Sequence, residues 1–499
     1  MPLALALHPA PERRVRNARR SASVLLCCVA LGVARVVLAT PLDEPFVGGV
    51  GFAGPTTGDI TAVYWNPAAL SLLTGTEFHA SGVFGTAITS VQRAPNGGTA
   101  FPKSNGSGTL ISRPWSPGPG QFLGVGANVL GRFTLALAGY WPSYERVRYE
   151  PSSDGSLPTR YHGIDLDLRN FALVPALAIR FGKYIHLGFA PGFLFASGHF
   201  TFDDDSGINQ GMPVAENPTF ATRYNLNAGD STLAPNPAYT LGAGLHYKKD
   251  DWSVGIAYTS RTLGNDGDGV RLSIRDGSIA NDSGGALQSP CPPKDNAPCL
   301  NGELSYRLPD TFIAGATWQM NERWSFTGTA RYQTFSVHNR MVLTLAAPVG
   351  SGLGENGVRS RIVLDRGFQN RLEVRGNVIR KFGPRARVGG GLRVASSAVP
   401  LDYVTPIAVD GLAFSPFAMA EVTVRAFSFR AGYAFTYMPE RDVTNSVFNP
   451  NDASTCVSSG YDLANAACKG YSQGTARPSA NGRYSYNSHT LSVSLIARF

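Results

Sequence analysis

Five arginines carry the clearest chemical potential in this 499-residue chain: Arg331, Arg375, Arg393, Arg425 and Arg430. A guanidinium held in a dry site pairs with a carboxylate through a planar fork of donors. All five lie in or beside segments where every second residue is apolar, and Glu373 and Glu421 share those segments. Two roles therefore fit: anchoring an acidic ligand, or pairing with the glutamates in a wall network. Other chemistry is thin. His79, His162, His186, His199, His246, His338 and His489 show no H-E-x-x-H or comparable spacing, so neither metal nor cofactor is expected. His489 beside Ser488 and Ser492 is open to a barrel-embedded lipid hydrolase reading, but an ordinary polar strand residue is simpler. Asn265-Asp-Gly-Asp-Gly269 starts like a calcium loop and lacks the closing Glu, which favours a surface turn.

Four cysteines, Cys291, Cys299, Cys456 and Cys468, fall in two close pairs within Pro/Asn/Ser-rich stretches. Local disulfides 291–299 and 456–468 are expected, in an oxidising compartment, rather than a zinc site with its tighter ligand spacing.

The elements that position these residues read as strands. Tyr239, Leu241, Ala243, Leu245 and Tyr247 alternate with Thr240, Gly242, Gly244 and His246. Phe427 to Tyr437 and Val388 to Val394 repeat the pattern. Period two is the strand signature, and a small or polar second face suits a wet lumen rather than a packed core. Short turns stand at Gly131-Arg132, Gly182-Lys183, Lys248 to Asp251, Asn321-Glu322, Gly383-Pro384 and Arg425-Ala426. They interleave with long polar connections near 93–118, 148–164, 202–237, 264–302, 338–362, 399–413 and 438–483. That order predicts an all-β, antiparallel transmembrane barrel of about 14 strands, with short turns at one end and long loops at the other.

The chain ends on Phe499, after Leu491, Val493, Leu495 and Ala497 alternate with polar or small partners. A terminal aromatic on such a strand is expected to serve as an outer-membrane insertion signal.

The opening residues are of another kind. Arg13, Arg14, Arg16, Arg19 and Arg20 precede an apolar stretch from Ser21 to Leu38, which predicts an export signal over 1–39. That leader holds six Arg and one Glu, leaving +4 of the formal +9 for the rest, with no basic cluster to bind nucleic acid. No later apolar run is long enough for a helical span. Residues 40–75 are Gly-rich, do not alternate, and are placed as a hatch inside the barrel formed by 76–499. Within them Asn66 can cap a short helix that Pro67 opens and Ala68 extends.

Gly51-Phe-Ala-Gly54, Asp59 and Tyr64-Trp-Asn-Pro-Ala-Ala-Leu70 together resemble the N-terminal hatch of FadL-type transporters. Trp252 to Ser260, Leu308-Pro-Asp-Thr-Phe312 with Gly315, and Arg430-Ala-Gly-Tyr-Ala434 are similar to later patterns of that family. The resemblance implies a monomeric passive carrier of hydrophobic molecules, long-chain fatty acids first, although the family includes importers of aromatic hydrocarbons. It implies residence in the bacterial outer membrane, beside lipid and lipopolysaccharide, after insertion by the barrel-assembly machinery. Capture between loops 202–237 and 264–302, gating by Asn66-Pro67-Ala68, and sideways exit at a third-strand kink near Gly139 and Pro142 are likewise implied. A general diffusion porin is the alternative.

Overall fold

The computed structural model describes residues 46–93, 110–112, 120–151, 157–205, 221–229, 238–264, 269–281, 286–288, 300–346, 361–448 and 477–499. Residues 1–45, which include the expected export signal and the first residues of the expected hatch, lie outside them, as do residues 265–268 and the four cysteines with their expected disulfides. Strands run β1 (Thr76–Arg93), β2 (Leu110–Ser112), β3 (Phe122–Val129), β4 (Phe133–Arg148), β5 (Asp165–Phe181), β6 (Ile185–Asp205) and β7 (Ala221–Gly229). They continue as β8 (Ala238–Lys249), β9 (Trp252–Thr259), β10 (Val270–Asn281), β11 (Ala286–Gln288), β12 (Leu300–Tyr306), β13 (Thr311–Gln319) and β14 (Trp324–Gln333). The last are β15 (Arg340–Ala346), β16 (Arg361–Asp365), β17 (Arg371–Phe382), β18 (Ala386–Ala395), β19 (Ala413–Val424), β20 (Phe427–Val443) and β21 (Gly482–Arg498).

Antiparallel pairing joins β1, β3, β4, β5, β6, β8, β9, β13, β14, β17, β18, β19, β20 and β21 in that order. β21 then pairs with β1 from Glu77↔Arg498 to Arg93↔Gly482, closing a ring of 14 strands. Phe499 extends the seam: its N–H donates to the Thr76 carbonyl at 2.9 Å, and its carbonyl accepts from the Thr76 N–H at 3.0 Å. Closure leaves no wall edge unpaired, the condition for strands to cross lipid.

Alternation sorts the side chains as the sequence predicts. Along β8, Leu241 and Leu245 are exposed while Gly242 and His246 are buried. Exposed apolar residues such as Leu135, Leu137, Phe189, Phe193, Val254, Ile256 and Leu372 cover the outside. Two aromatic belts rim that surface. Trp252 stacks on Trp318 at 5.8 Å near the short turns, and Tyr258 meets Phe312 at 4.8 Å nearer the long loops. Phe312 and Trp318 are six residues apart on β13, roughly 20 Å at strand rise, which suits an apolar band about 25 Å tall.

All six predicted short turns join neighbouring wall strands. Leu130 and Gly131, at φ 56° and 68°, turn β3 into β4 as a hairpin that needs two left-handed residues. The long connections differ from the sequence reading, because four of them contain strands, the first being 93–118, where β2 pairs with the end of β1. β7 pairs with the upper half of β6, then β10, β12, β15 and β16 follow as a branch of the same sheet that leaves the ring. Val270, Leu272 and Ile274 alternate with Arg271 and Ser273, a short strand signal drowned by the polar residues around it.

One further irregularity bends the wall. Tyr140 of β4 pairs with Ala172 and Ser143 pairs with Asn170, so β4 carries one extra residue across Trp141-Pro142. This bulge reverses the alternation: Thr134, Ala138 and Tyr140 are buried below it, Ser143, Glu145 and Val147 above it.

Candidate functional site

Residues 46–75 are bonded to inward-facing groups from many sides of the ring. Val50 N–H donates to Ser492 Oγ at 2.8 Å, Asn377 Nδ2 to the Gly51 carbonyl at 3.1 Å, and Arg430 Nη1 to Asp59 Oδ2 at 2.9 Å. Burial raises the Asp59 pKa, but Arg430, His79 and the Thr61 hydroxyl outweigh it and hold the carboxyl well below the usual range. The segment contains one helical turn, α1 (Ala62–Trp65), followed by a 3-10 helix over Pro67–Leu72.

Asn66 governs that join. Its Oδ1 accepts from the Ala68 N–H at 3.1 Å, while Nδ2 donates to the Pro55 carbonyl at 2.8 Å and the Leu245 carbonyl of β8 at 3.1 Å. One side chain thus caps the turn and ties it to the wall, which an apolar replacement would forfeit. The wall makes room with glycines. A Cβ on Gly188 would stand 2.2 Å from Ala68 N, one on Gly244 2.0 Å from Asn66 Oδ1, and one on Gly255 2.1 Å from the Pro55 carbonyl. Gly188 pairs with Gly244, and Gly255 pairs with His246 and with Gly315, so the seat spans four neighbouring strands. Sequence reasoning missed this seat, because glycine alternates all along the wall and only the contact singles these out.

The structure brings four of the five candidate arginines into the lumen wall, each fully or nearly buried. Arg331 Nη2 and Arg393 Nε both lie on Glu373 Oε2, at 2.7 and 2.8 Å. Arg375 donates to the Ala53 carbonyl, and its guanidinium covers the Trp65 ring at 4.7 Å. Arg430 pairs with Asp59 and Glu421. Arg371, not picked from sequence, joins them: it is 1% exposed, with Nε and Nη2 lacking a hydrogen-bond partner among the described residues. Neither Arg371 nor Arg375 has an ion-pair partner there, so Glu373 is surrounded by more positive charge than it cancels. Arg425 is a correction. It sits exposed in the β19–β20 turn at φ 57°, because the alternation ends at Val424 and a two-residue hairpin needs a left-handed residue.

Beside the charges runs an apolar track. A single buried cluster joins Leu226, Leu272, Leu304 and Leu343 of the external strands to Phe200, Tyr140 and Phe122 of the wall and to Ile60, Val63 and Leu70 of the N-terminal segment. Under the external sheet, between Phe200, Met341, Leu364 and Phe448, lies a cavity of about 30 Å³, room for about one water. Gly139 and Pro142 flank the β4 bulge, with Gly139 Cβ space filled by the Phe171 ring at 2.8 Å.

The hydrolase constellation is not assembled. Ser488 and Ser492 are buried on the lumen face, while His489 points to the outer face, where its Nδ1 meets the Tyr433 hydroxyl at 2.7 Å. Adjacent strand residues point oppositely, so these groups cannot meet.

A closed 14-strand antiparallel ring with an apolar exterior and a charged interior defines an outer-membrane-type β-barrel. The family described as outer membrane protein transport protein (OMPP1/FadL/TodX) matches residues 44–373, and the chain belongs to that family. A Pseudomonas aeruginosa FadL homologue of known structure is similar at TM-score 0.68 and 14% identity, over 93% of this chain and 100% of that one. The P. putida toluene transporter TodX is similar at TM-score 0.59 and 13% identity, over 90% and 96%. The Ralstonia pickettii toluene transporter TbuX follows at TM-score 0.57 and 12% identity, over 92% and 98%. At these identities the likeness speaks for the fold. No curated protein sequence matches the chain.

Proposed function

We propose that this protein is a passive outer-membrane channel for hydrophobic molecules bearing an acidic head group, long-chain fatty acids foremost. The observation that carries the reading is the meeting of two features. The apolar track reaches Tyr64 and Tyr140, whose rings lie 5.3 Å apart, and the Tyr64 hydroxyl accepts from Arg331 at 3.0 Å, at the edge of the arginine cluster. A buried guanidinium without a counter-ion is costly, and a ligand carboxylate arriving from the apolar side would relieve that cost. A toluene-like substrate needs the track but has no use for the charges.

In this reading the inner face of the external sheet captures the chain from water and lipopolysaccharide. Residues 40–75 act as the hatch, seated on the wall glycines through Asn66, Pro67 and Ala68. Release runs sideways at the β4 bulge by Gly139 and Pro142, and Phe499 guides insertion. A general diffusion porin would need a wide aqueous lumen, whereas residues 46–75 bond to inward-facing groups around it.

Binding in detergent tests the proposal with two ligands that differ only at the head. Oleate should bind at least tenfold more tightly than its methyl ester. Equal affinities would remove the role of the arginines and leave an aromatic or neutral hydrocarbon as the better substrate class.

A further inference from the structure

The junction between the N-terminal segment and β1 holds a group of side chains that the transport reading does not use. Glu77 and His79, two residues apart, share the inward face of β1, and Asp59 of the N-terminal segment reaches them. One donor atom from each of the three lies within 4.8 Å of the other two, and all three side chains are buried. His79 is fully buried, and neither ring nitrogen has a hydrogen-bond partner among the described residues. Its ring packs edge-on against Phe122 at 5.4 Å, which fixes its direction. A buried imidazole leaving both nitrogens idle gives up hydrogen bonds it would make in water, and an ion or water at the site would recover them.

The carboxylates are occupied but not saturated. Asp59 Oδ1 accepts from the Thr61 N–H at 3.1 Å and from the Thr61 hydroxyl, while Oδ2 faces Arg430 Nη1 at 2.9 Å. Glu77 Oε1 accepts from the Ile60 N–H at 2.8 Å, and Oε2 faces Arg498 Nε at 2.8 Å. A carboxylate offers about four lone pairs, so each keeps at least one free. Arg430 also serves Glu421, which Arg387 shares, and Arg498 is partly exposed, so neither cation is committed to this site alone.

We infer that Asp59, Glu77 and His79 form a binding site for a first-row divalent metal ion that clamps the N-terminal segment to β1. One nitrogen and two carboxylate oxygens suit zinc or a neighbouring transition ion, whereas calcium and magnesium favour all-oxygen shells. Zinc to nitrogen or oxygen distances near 2.1 Å place tetrahedral ligands about 3.4 Å apart, so donors that lie within 4.8 Å of one another must close by at most about 1.4 Å, through side-chain rotation. The sequence conceals the site because its ligands come from two elements and follow no familiar spacing. Metal binding stands independently of the proposed substrate, since the three residues lie outside the arginine cluster around Glu373.

The test uses intact, untagged protein in detergent, stripped with a chelator and dialysed against zinc alone, with bound metal counted per chain by mass spectrometry. One zinc per chain is expected. His79→Phe and Asp59→Asn should each weaken binding at least tenfold, while His199→Ala, on the external half of β6, should leave it unchanged. If His79→Phe does not assemble, cobalt added to the wild-type protein takes its place, with visible absorption that zinc competes away. Wild-type protein that takes up no zinc, or an assembled His79→Phe protein that retains it, would overturn the inference.

Discussion

The Tyr64 hydroxyl and the Arg331 guanidinium lie 3.0 Å apart, with Arg331 donating. Through this contact one residue of the N-terminal segment touches both halves of the lumen, because the Tyr64 ring also stands against Tyr140 in the apolar track. On the proposed route, a molecule moving along the track would meet the segment and the arginine cluster at the same point. That coincidence makes the following outcomes separable by experiment.

Arg371→Gln should weaken oleate binding about 10- to 100-fold, the range set by one charge-assisted hydrogen bond of roughly 1.5–3 kcal/mol. Methyl oleate binding should stay the same. The empty barrel should be no less stable, and a higher unfolding temperature is expected because a buried charge without an ion-pair partner has been removed. Equal losses for both ligands, measured by displacement of a fluorescent fatty acid, would mean that Arg371 acts on packing alone.

The glycine seat predicts an order of effects on gating. Gly188→Ala forces a methyl against the Pro67-Ala68 backbone, which cannot swing aside, and should raise conductance in a planar bilayer strongly. Gly244→Ala meets the Asn66 side chain, which can rotate at the loss of its bonds, so a smaller rise is expected. Gly376→Ala, with nothing within 4 Å, should behave as wild type. A reversed order would sink the seat as the anchor of the segment.

The external strands should loosen in acid through His338. Its Nδ1–H donates to the Arg307 carbonyl at 2.5 Å and its Nε2 accepts from Arg366 at 2.6 Å, so the ring is neutral. Burial first, then Arg366, lowers its pKa to about 3. Folding keeps the proton off, so the contribution is complete above about pH 6.5 and is lost as pH falls from there toward 3. Protection from hydrogen exchange in β15 and β16, taken relative to the intrinsic amide rate at each pH, should fall between pH 6 and 4, and His338→Gln should flatten that dependence. An unchanged profile in His338→Gln would assign the effect to other groups.

Deleting Phe499 removes two seam hydrogen bonds to Thr76 along with the terminal ring. The fraction of protein reaching the outer membrane should drop severalfold, while any barrels that do form keep wild-type ligand affinity. Normal membrane yield would show the last residue to be dispensable.

Much of the wall was legible in the sequence for a simple physical reason: lipid outside and water or polar contacts inside impose period two on every crossing strand. Turn chemistry at Gly131, Gly182 and Gly383 then fixed the hairpins. The external sheet was not legible, because β10 and β12 bury apolar residues on one side only and sit in long polar stretches. The inward facing of Arg331, Arg375, Arg393 and Arg430 followed from alternation, whereas Arg425 lies in the turn where alternation stops. Arg371 lies at the first position of β17, where a strand boundary hides its facing. The seat at Gly188, Gly244 and Gly255 depends on contacts across more than a hundred residues, which no local pattern records.

Uptake most directly tests the central claim that hydrophobic acids pass through this barrel. Cells lacking their own fatty-acid transporter would express the wild-type protein or Arg371→Gln at equal surface levels, and entry of labelled oleate and of labelled toluene would be followed. The account predicts that wild type restores oleate entry and that Arg371→Gln loses most of it, with toluene entry the same for both. Oleate entry no faster than in cells without the protein, alongside free passage of small sugars, would contradict it.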